Sequence, residues 1–278
     1  MRYEFIKMHG LGNDFIVLDA PARDGLPISP DQWRALGDRH RGIGFDQALV
    51  LEPPRSPGTQ AYYRIFNTDG TEVEQCGNGV RCLAELLRMR GQAPNGKVLL
   101  DSPAGRITAS LGEPGTVSVD MGVPQFTPQS VAFDTAGQTG PRYAIDLQDQ
   151  RVEFVIASMG NPHAVIDVTD TATAPVESWG AALESHPRFR RRVNVGFRQI
   201  RNRAHLGLRV FERGVGETRA CGTGACAAVA TGIHAGLLDT RVQVDLPGGT
   251  LYVSWAGGNN PLWLEGPAEV SFTGQFEL

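Results

Sequence analysis

Two stretches of this 278-residue chain align without a gap. Residues 64–79 read RIFNTDGTEVEQCGNG and residues 209–224 read RVFERGVGETRACGTG. Arg64/Arg209, Phe66/Phe211, Glu72/Glu217, Cys76/Cys221, Gly77/Gly222 and Gly79/Gly224 are identical pairs. A strand-like run, a turn and a Cys-Gly-x-Gly element in each half restrict the chain to two related lobes. Shorter elements recur in the same order. His9-Gly-Leu-Gly-Asn13 has a counterpart in Met159-Gly-Asn161-Pro-His163, and Ile43-Gly-Phe45 in Val195-Gly-Phe197. Pseudo-twofold packing of such lobes is expected to bring two equivalent cysteines to one cleft.

Strand-like runs and frequent glycine (34) and proline (18) predict a fold of many strands and turns. Three helices are predicted: Pro30–Asp38 with Ser29 as N-cap, one from Cys76 to about Arg90, and one from Cys221 to about Gly236. The last is rich in Ala and Gly, which lets a helix approach a surrounding sheet closely. The expected class is α/β (α+β): two pseudo-symmetric lobes, each a mostly antiparallel, barrel-like sheet around a central helix. The lobes are placed at 1–122, carrying Cys76, and 123–268, carrying Cys221. Residues 124–142 read as a connection, and a last strand near 269–278 is able to return to the first lobe.

A net charge of −4 gives no global basic field for nucleic acid or an anionic membrane. The basic run Arg188–Arg192 reads as a solvated face. No run approaches the roughly 18 apolar residues of a membrane span, and the N-terminus lacks a signal-peptide pattern. A cytosolic location is expected, where thiols stay reduced. Four cysteines are present. Cys82 and Cys226 lie among small and apolar residues and read as core. The C-x5-C and C-x4-C spacings are looser than a zinc knuckle, so no metal is expected.

Cys76 and Cys221 differ from the other two because each opens a helix. The N–H groups and dipole of a helix N-terminus favour an anion and lower a thiol below its usual value near 8.5. The two glycines expose further N–H groups, a nest for a thiolate or a substrate carboxylate. Taken singly, each Gly-x-Gly is an ordinary turn; the pair is what points to chemistry. Two thiols on opposite faces of a carbon can remove and return a proton. The charge that develops on an adjacent carboxylate needs aimed donors, each worth about 3–4 kcal/mol. No lysine motif for pyridoxal phosphate is evident, and catalysis without a cofactor is expected.

The stretches MHGLGNDFIVLD (8–19), GFDQ (44–47), FNTDG (66–70), EQCGNGVRC (74–82), GNPHAV (160–165), VNVGF (193–197), FERGVGET (211–218) and RACGTGACA (219–227) closely resemble the diaminopimelate epimerase family. The resemblance implies interconversion of LL- and meso-diaminopimelate without a cofactor, on the route to lysine and peptidoglycan, by a homodimer. It implies Cys76 and Cys221 as the acid/base pair, with His163 and Glu212 as their tuners. Gly77, Asn78, Gly222 and Thr223 are implied as donors to the reacting carboxylate, and Asn13, Gln47, Asn67, Asn161 and Asn194 as substrate ligands. Arg213 is implied to grip the distal carboxylate and Glu212 to face an ammonium. Competing readings are a proline or hydroxyproline racemase, a phenazine-biosynthesis-like isomerase without the cysteine pair, a thiol redox sensor in which the pair oxidises to a disulfide, and a metal-binding module.

Overall fold

A computed structural model describes residues 1–23, 25–73, 76–93, 95–147 and 150–278. Glu74 and Gln75 of the EQCGNGVRC stretch lie outside the described residues. The chain divides into two compact units, Met1–Asp120 with Glu265–Leu278, and Met121–Leu264.

In chain order, the first unit contains β1 (Arg2–Gly10), β2 (Asn13–Asp19), α1 (Pro30–Gly37), β3 (Gln47–Glu52), β4 (Ala61–Asn67), β5 (Glu72–Val73), α2 (Gly77–Met89), β6 (Lys97–Ser102), β7 (Gly105–Leu111) and β8 (Thr116–Asp120). The second contains β9 (Arg142–Leu147), β10 (Gln150–Ser158), β11 (Pro162–Asp167), α3 (Val176–Glu184), β12 (Asn194–Asn202), β13 (His205–Glu212), β14 (Gly216–Thr218), α4 (Gly222–His234), β15 (Arg241–Leu246) and β16 (Gly249–Ser254). The chain then runs through β17 (Trp263–Pro267) to β18 (Glu269–Glu277), which pairs antiparallel with β1 in the first unit.

The internal pairings of the two units coincide. β1–β2 and β10–β11 are antiparallel. β2–β3 and β11–β12 are parallel, with α1 and α3 as their crossovers. β3–β4–β5 and β12–β13–β14 are antiparallel. β4–β6 and β13–β15 are again parallel, after α2 and α4. Register sharpens the equivalence. Phe15 faces Gln47, and His163 faces Asn194. Phe66 pairs with Glu72, and Phe211 with Glu217.

Each sheet is covered on both faces, so its central strands read as continuous apolar runs rather than alternating ones. In the first unit Ile16, Leu18, Ala48 and Val50 pack with Trp33 and Leu36 of α1. The intervening Phe15 and Leu49 reach Gly79 on α2. α2 is buried from Gly77 to Leu87 and packs on β1 and β2 as well as on β7 and β8, so the sheet curls around it. In the second unit Ala164, Ile166, Val195 and Phe197 pack with Val176 and Leu183 of α3. α4, buried from Ala225 to Gly232, packs on β10 to β13 and β16. Its small residues are needed there: a methyl group on Gly224 would lie 2.9 Å from Val210 Cγ2.

Ser29 caps α1 in a capping box with Gln32, which ends at Gly37. Three expectations need correction. Residues 124–142 carry a 3-10 turn (Pro128–Val131) and lead into β9. α3 adds a fourth helix to the three expected. The matching of Ile43-Gly-Phe45 to Val195-Gly-Phe197 fails: Gly44 is a loop residue with φ +73°, and Gly196 lies inside β12. Two short words matched because apolar-Gly-Phe is common, not because the positions correspond.

Candidate active site

Each unit delivers its cysteine by the same local device. A short antiparallel pair, β4–β5 or β13–β14, is clamped by a repeated ion pair. Arg64 donates to both Glu72 oxygens at 2.8 and 2.7 Å, and Arg209 to both Glu217 oxygens at 2.6 and 2.7 Å. Parallel N–H···O bonds of this kind fix direction as well as distance. The chain then enters the buried helix at Gly77 or Gly222. Cys76 and Cys221 are the N-cap residues, in extended backbone conformation. Side-chain oxygen caps are replaced by thiols that do not cap, which leaves first-turn N–H groups for another acceptor.

In the first unit Asn13 begins β2 after a two-residue turn, Leu11-Gly12, with φ of 58° and 82°. Positive φ at both centres is the hairpin geometry that a glycine eases. Asn13 Oδ1 accepts from Asn78 Nδ2 at 3.0 Å and from the Cys76 thiol at 3.8 Å. Gln47 Nε2 donates to Asn67 Oδ1 at 3.0 Å, and Asn67 Nδ2 to Thr71 Oγ1 at 3.1 Å. The sequence-predicted residues Asn13, Cys76, Gly77 and Asn78 thus form one cluster, and Gln47 and Asn67 a hydrogen-bonded pair on β3 and β4.

In the second unit Cys221 donates to Glu212 Oε2 at 3.1 Å and lies 3.7 Å from Thr223 Oγ1. Thr218 donates to the other Glu212 oxygen. Asn161 Nδ2 donates to Thr223 Oγ1 at 3.2 Å, and its Oδ1 lies 3.0 Å from His163 Nε2. Asn194 spans to the backbone: its amide donates to Pro162 O at 3.0 Å and its oxygen accepts from Arg213 N at 2.9 Å. The exposed Arg213 guanidinium donates to Arg191 O at 3.1 Å. His163, Asn161 and Thr223 therefore form a connected chain to Cys221, whose thiol also meets Glu212.

Electrostatics correct one expectation. Burial, and next the Glu212 carboxylate, push the Cys221 thiol well above its usual value, against the Gly224 N–H and Thr223 hydroxyl. The helix N-terminus is outweighed because a thiolate here would be desolvated beside a carboxylate. Cys221 carries its proton in this state. His163 is held neutral, its pKa lowered to about 3 by burial and next by Arg213. It meets Asn161 rather than a thiol. Burial pushes Cys82 up to about 12, as for an inert core thiol. Among the described residues no group of three His, Cys, Asp or Glu side chains is arranged to hold a metal ion. No helix among them is long and apolar enough to cross a membrane.

The sequence reading missed the ionic cluster behind Asn13. Asn13 Nδ2 donates to Asp46 Oδ2 at 2.9 Å, and Arg39 links Asp46 to Asp14. Both aspartates stood in the quoted stretches GNDF and GFDQ, but no repeat marked them.

Solved structures share this architecture. A hydroxyproline epimerase from Agrobacterium vitis, with bound trans-4-hydroxy-L-proline, is 18% identical with a TM-score of 0.71, covering 99% of this chain and 92% of that one. A probable proline racemase from Agrobacterium radiobacter K84, with bound carbonate, is 19% identical with a TM-score of 0.70, covering 99% and 93%. A Bacillus anthracis phenazine biosynthesis protein of the PhzF family is 16% identical with a TM-score of 0.70, covering 100% of both chains. These likenesses define the two-lobed, mixed α/β fold. The enzyme class follows once the sequence family is added: the chain is an isomerase of the epimerase type. Within that class it belongs to the diaminopimelate epimerase family, which matches residues 5–127 and 155–270.

Proposed function

We propose that this enzyme interconverts LL- and meso-diaminopimelate in the cytosol, without a cofactor, in the supply of lysine and peptidoglycan precursors. Cys76 and Cys221 are the acid/base pair, one removing the α-proton and the other returning one to the opposite face. The observation that carries the reading is the pair of cysteines at the N-termini of two equivalent buried helices, in a chain of this family. Gly77, Asn78, Gly222 and Thr223 are assigned to the reacting carboxylate, whose growing negative charge the first-turn N–H groups offset. Asn13, Gln47, Asn67, Asn161 and Asn194 hold the substrate's remaining polar atoms. Arg213 and Glu212 read the distal carboxylate and ammonium, groups that a one-headed proline does not offer. The active form is assigned as a homodimer.

Incubation in D2O with LL-diaminopimelate tests this. Deuterium at the α-carbon together with meso product, and loss of epimerisation in both Cys76→Ala and Cys221→Ala, is the expected result. Exchange on proline or hydroxyproline instead would keep the two thiols and replace the substrate. Absence of exchange on all three sinks the proposal.

A further inference from the structure

The two asparagines that stand at equivalent hairpins do not present the same atom to their cysteine loops. Asn13 shows its oxygen to Asn78 and Cys76. Asn161 shows its nitrogen to Thr223, which neighbours Cys221. Each orientation has a local cause. A carboxylate only accepts hydrogen bonds, so Asp46 Oδ2, 2.9 Å away, takes the Asn13 nitrogen and turns the oxygen inward. At Asn161 the oxygen is taken instead by the His163 ring, and the nitrogen is turned inward.

Asp46 is itself held on several sides. Its Oδ1 accepts from Arg39 Nη2 at 2.6 Å, and its Oδ2 from the Asp14 N–H at 3.1 Å. Its own N–H returns a bond to Asp14 Oδ1 at 3.0 Å. Arg39 is fixed by both Asp14 oxygens, at 2.9 and 2.7 Å, and Lys7 pairs with Asp14 at 2.6 Å. Gly44 makes room for this assembly: a methyl group there would lie 2.9 Å from the Arg39 Cα. The cluster connects β1, β2 and the loop after α1 to one amide.

We propose that Asp46 is a positioning residue: by fixing the Asn13 amide it keeps a hydrogen-bond acceptor on the Cys76 thiol, while His163 fixes the opposite amide orientation in the second half. The inference rests on reading Cys76 as an acid/base group. Tyr63 on β4 and Cys82 on α2 each sense Cys76. Burial raises both, so both are neutral at pH 7 and the Asn13 oxygen is not competing with a nearby fixed charge from them.

Asp46→Asn tests this. The amide offers one acceptor oxygen to Arg39 Nη2, Asn13 Nδ2 and the Asp14 N–H, and with that oxygen on the charged Arg39 its NH2 faces Asn13. The Asn13 amide then turns over and presents a donor to Cys76. A donor favours thiolate, and Cys76 should alkylate with its midpoint about one pH unit lower, a tenfold gain in thiolate fraction. The readout is the iodoacetamide rate against pH, resolved by peptide mass spectrometry, with Cys221 as the internal reference. Asp46→Glu retains an acceptor and should leave the Cys76 midpoint in place. If Asp46→Asn does not fold, Asp46→Ala frees the amide and should move the midpoint the same way by less. A Cys76 midpoint that stays fixed or rises overturns the proposal; so does an equal shift at Cys221, which marks general loosening. No substrate enters the assay. A protein inactive on diaminopimelate can therefore still show the shift, which separates failure of this inference from failure of the functional reading.

Discussion

His163 offers a stability experiment whose sign and size follow from its surroundings. The ring is 1% exposed and neutral in the folded chain, with a pKa lowered from 6.5 to about 3. In the unfolded chain it titrates near 6.5. A group whose folded pKa is depressed adds stability above the unfolded value and loses it as pH falls toward the folded one. Each pH unit well inside that window is worth about 1.4 kcal/mol and less near 6.5, where the unfolded ring is half protonated, so acidification from pH 6.5 to 4.5 should cost about 2.3 kcal/mol through this residue alone. His163→Gln removes the titration and retains an N–H for Asn161 Oδ1. Its imperfect fit should cost about 1–2 kcal/mol at pH 7. The two stability curves should therefore cross near pH 5.5, about one unit below the unfolded histidine value. Carboxylates such as Asp14 and Asp245, both lowered to about 2, contribute equally to both proteins and cancel in the difference. Urea unfolding at half-unit steps from pH 7 to 4.5 gives the measurement. Parallel curves over that range would refute the claim that His163 is buried and neutral.

Arg198 is 1% exposed and donates to Asp167, to Ala228 O at 2.6 Å and to Thr231 Oγ1 at 3.0 Å. Arg198→Met keeps the stem packing, and Asp167 keeps Arg142 at 3.1 Å, so no charge is stranded; the expected loss is about 3 kcal/mol in urea unfolding, and a change under about 1 kcal/mol counts against the reasoning. Glu212→Gln removes the charge beside Cys221, so this thiol should alkylate at lower pH. Because a raised thiol pKa adds stability that is lost as pH climbs past the unfolded value near 8.5, the same variant should also flatten the alkaline limb of the stability curve. Gly224→Ala places a methyl group 2.9 Å from Val210 Cγ2 and 3.2 Å from Cys221 Sγ. Overpacking of about 1–3 kcal/mol outweighs a helix gain of about 1 kcal/mol, so thermal unfolding should show net destabilisation with a larger loss of α-proton exchange than Gly79→Ala, whose methyl meets the flexible Leu49 at 3.0 Å.

The legible parts of the fold were those with local signals. Ser29 with Gln32 announces α1, and the glycines after each cysteine announce α2 and α4. Ala48–Leu51 of β3 is an unbroken apolar run, buried throughout, of the kind that predicts a strand covered on both faces. α3 was silent because Pro175 precedes it with no side-chain cap, and Gly180 interrupts its pattern. That glycine is there for packing: a methyl group would sit 2.7 Å from Phe211 Cβ. β12 was silent because Arg198 and Arg201 look solvated. In the fold Arg198 is buried by a partner, Asp167, thirty-one residues earlier in the chain. The same limit hid the Asp46 cluster. Its contacts join Lys7, Asp14, Arg39 and Asp46, which no periodicity connects. The cysteines, the asparagines and Glu212 were legible only through the repeat, which showed positions and not hydrogen-bond directions.

Duplication explains the shared backbone, and a few substituted positions explain why the two halves are not interchangeable. Phe15 and His163 occupy one register position, and Gln47 and Asn194 another. Asn67 and Glu212 occupy a third in the gapless alignment. At that third position the first half has a neutral amide bonded to Gln47, and the second a carboxylate 3.1 Å from its cysteine. Cys221 therefore has a carboxylate in contact with its sulfur at this position, where the first half has an amide. A twofold scaffold suits a carbon whose two faces must be served by like groups. The side chains break the symmetry of that scaffold at matching places. Exchanging the pair, Asn67→Glu with Glu212→Asn, should therefore raise the titration of Cys76 and lower that of Cys221, read as alkylation rate against pH. The electrostatic bias is thus carried by one residue in each half, Asn67 or Glu212.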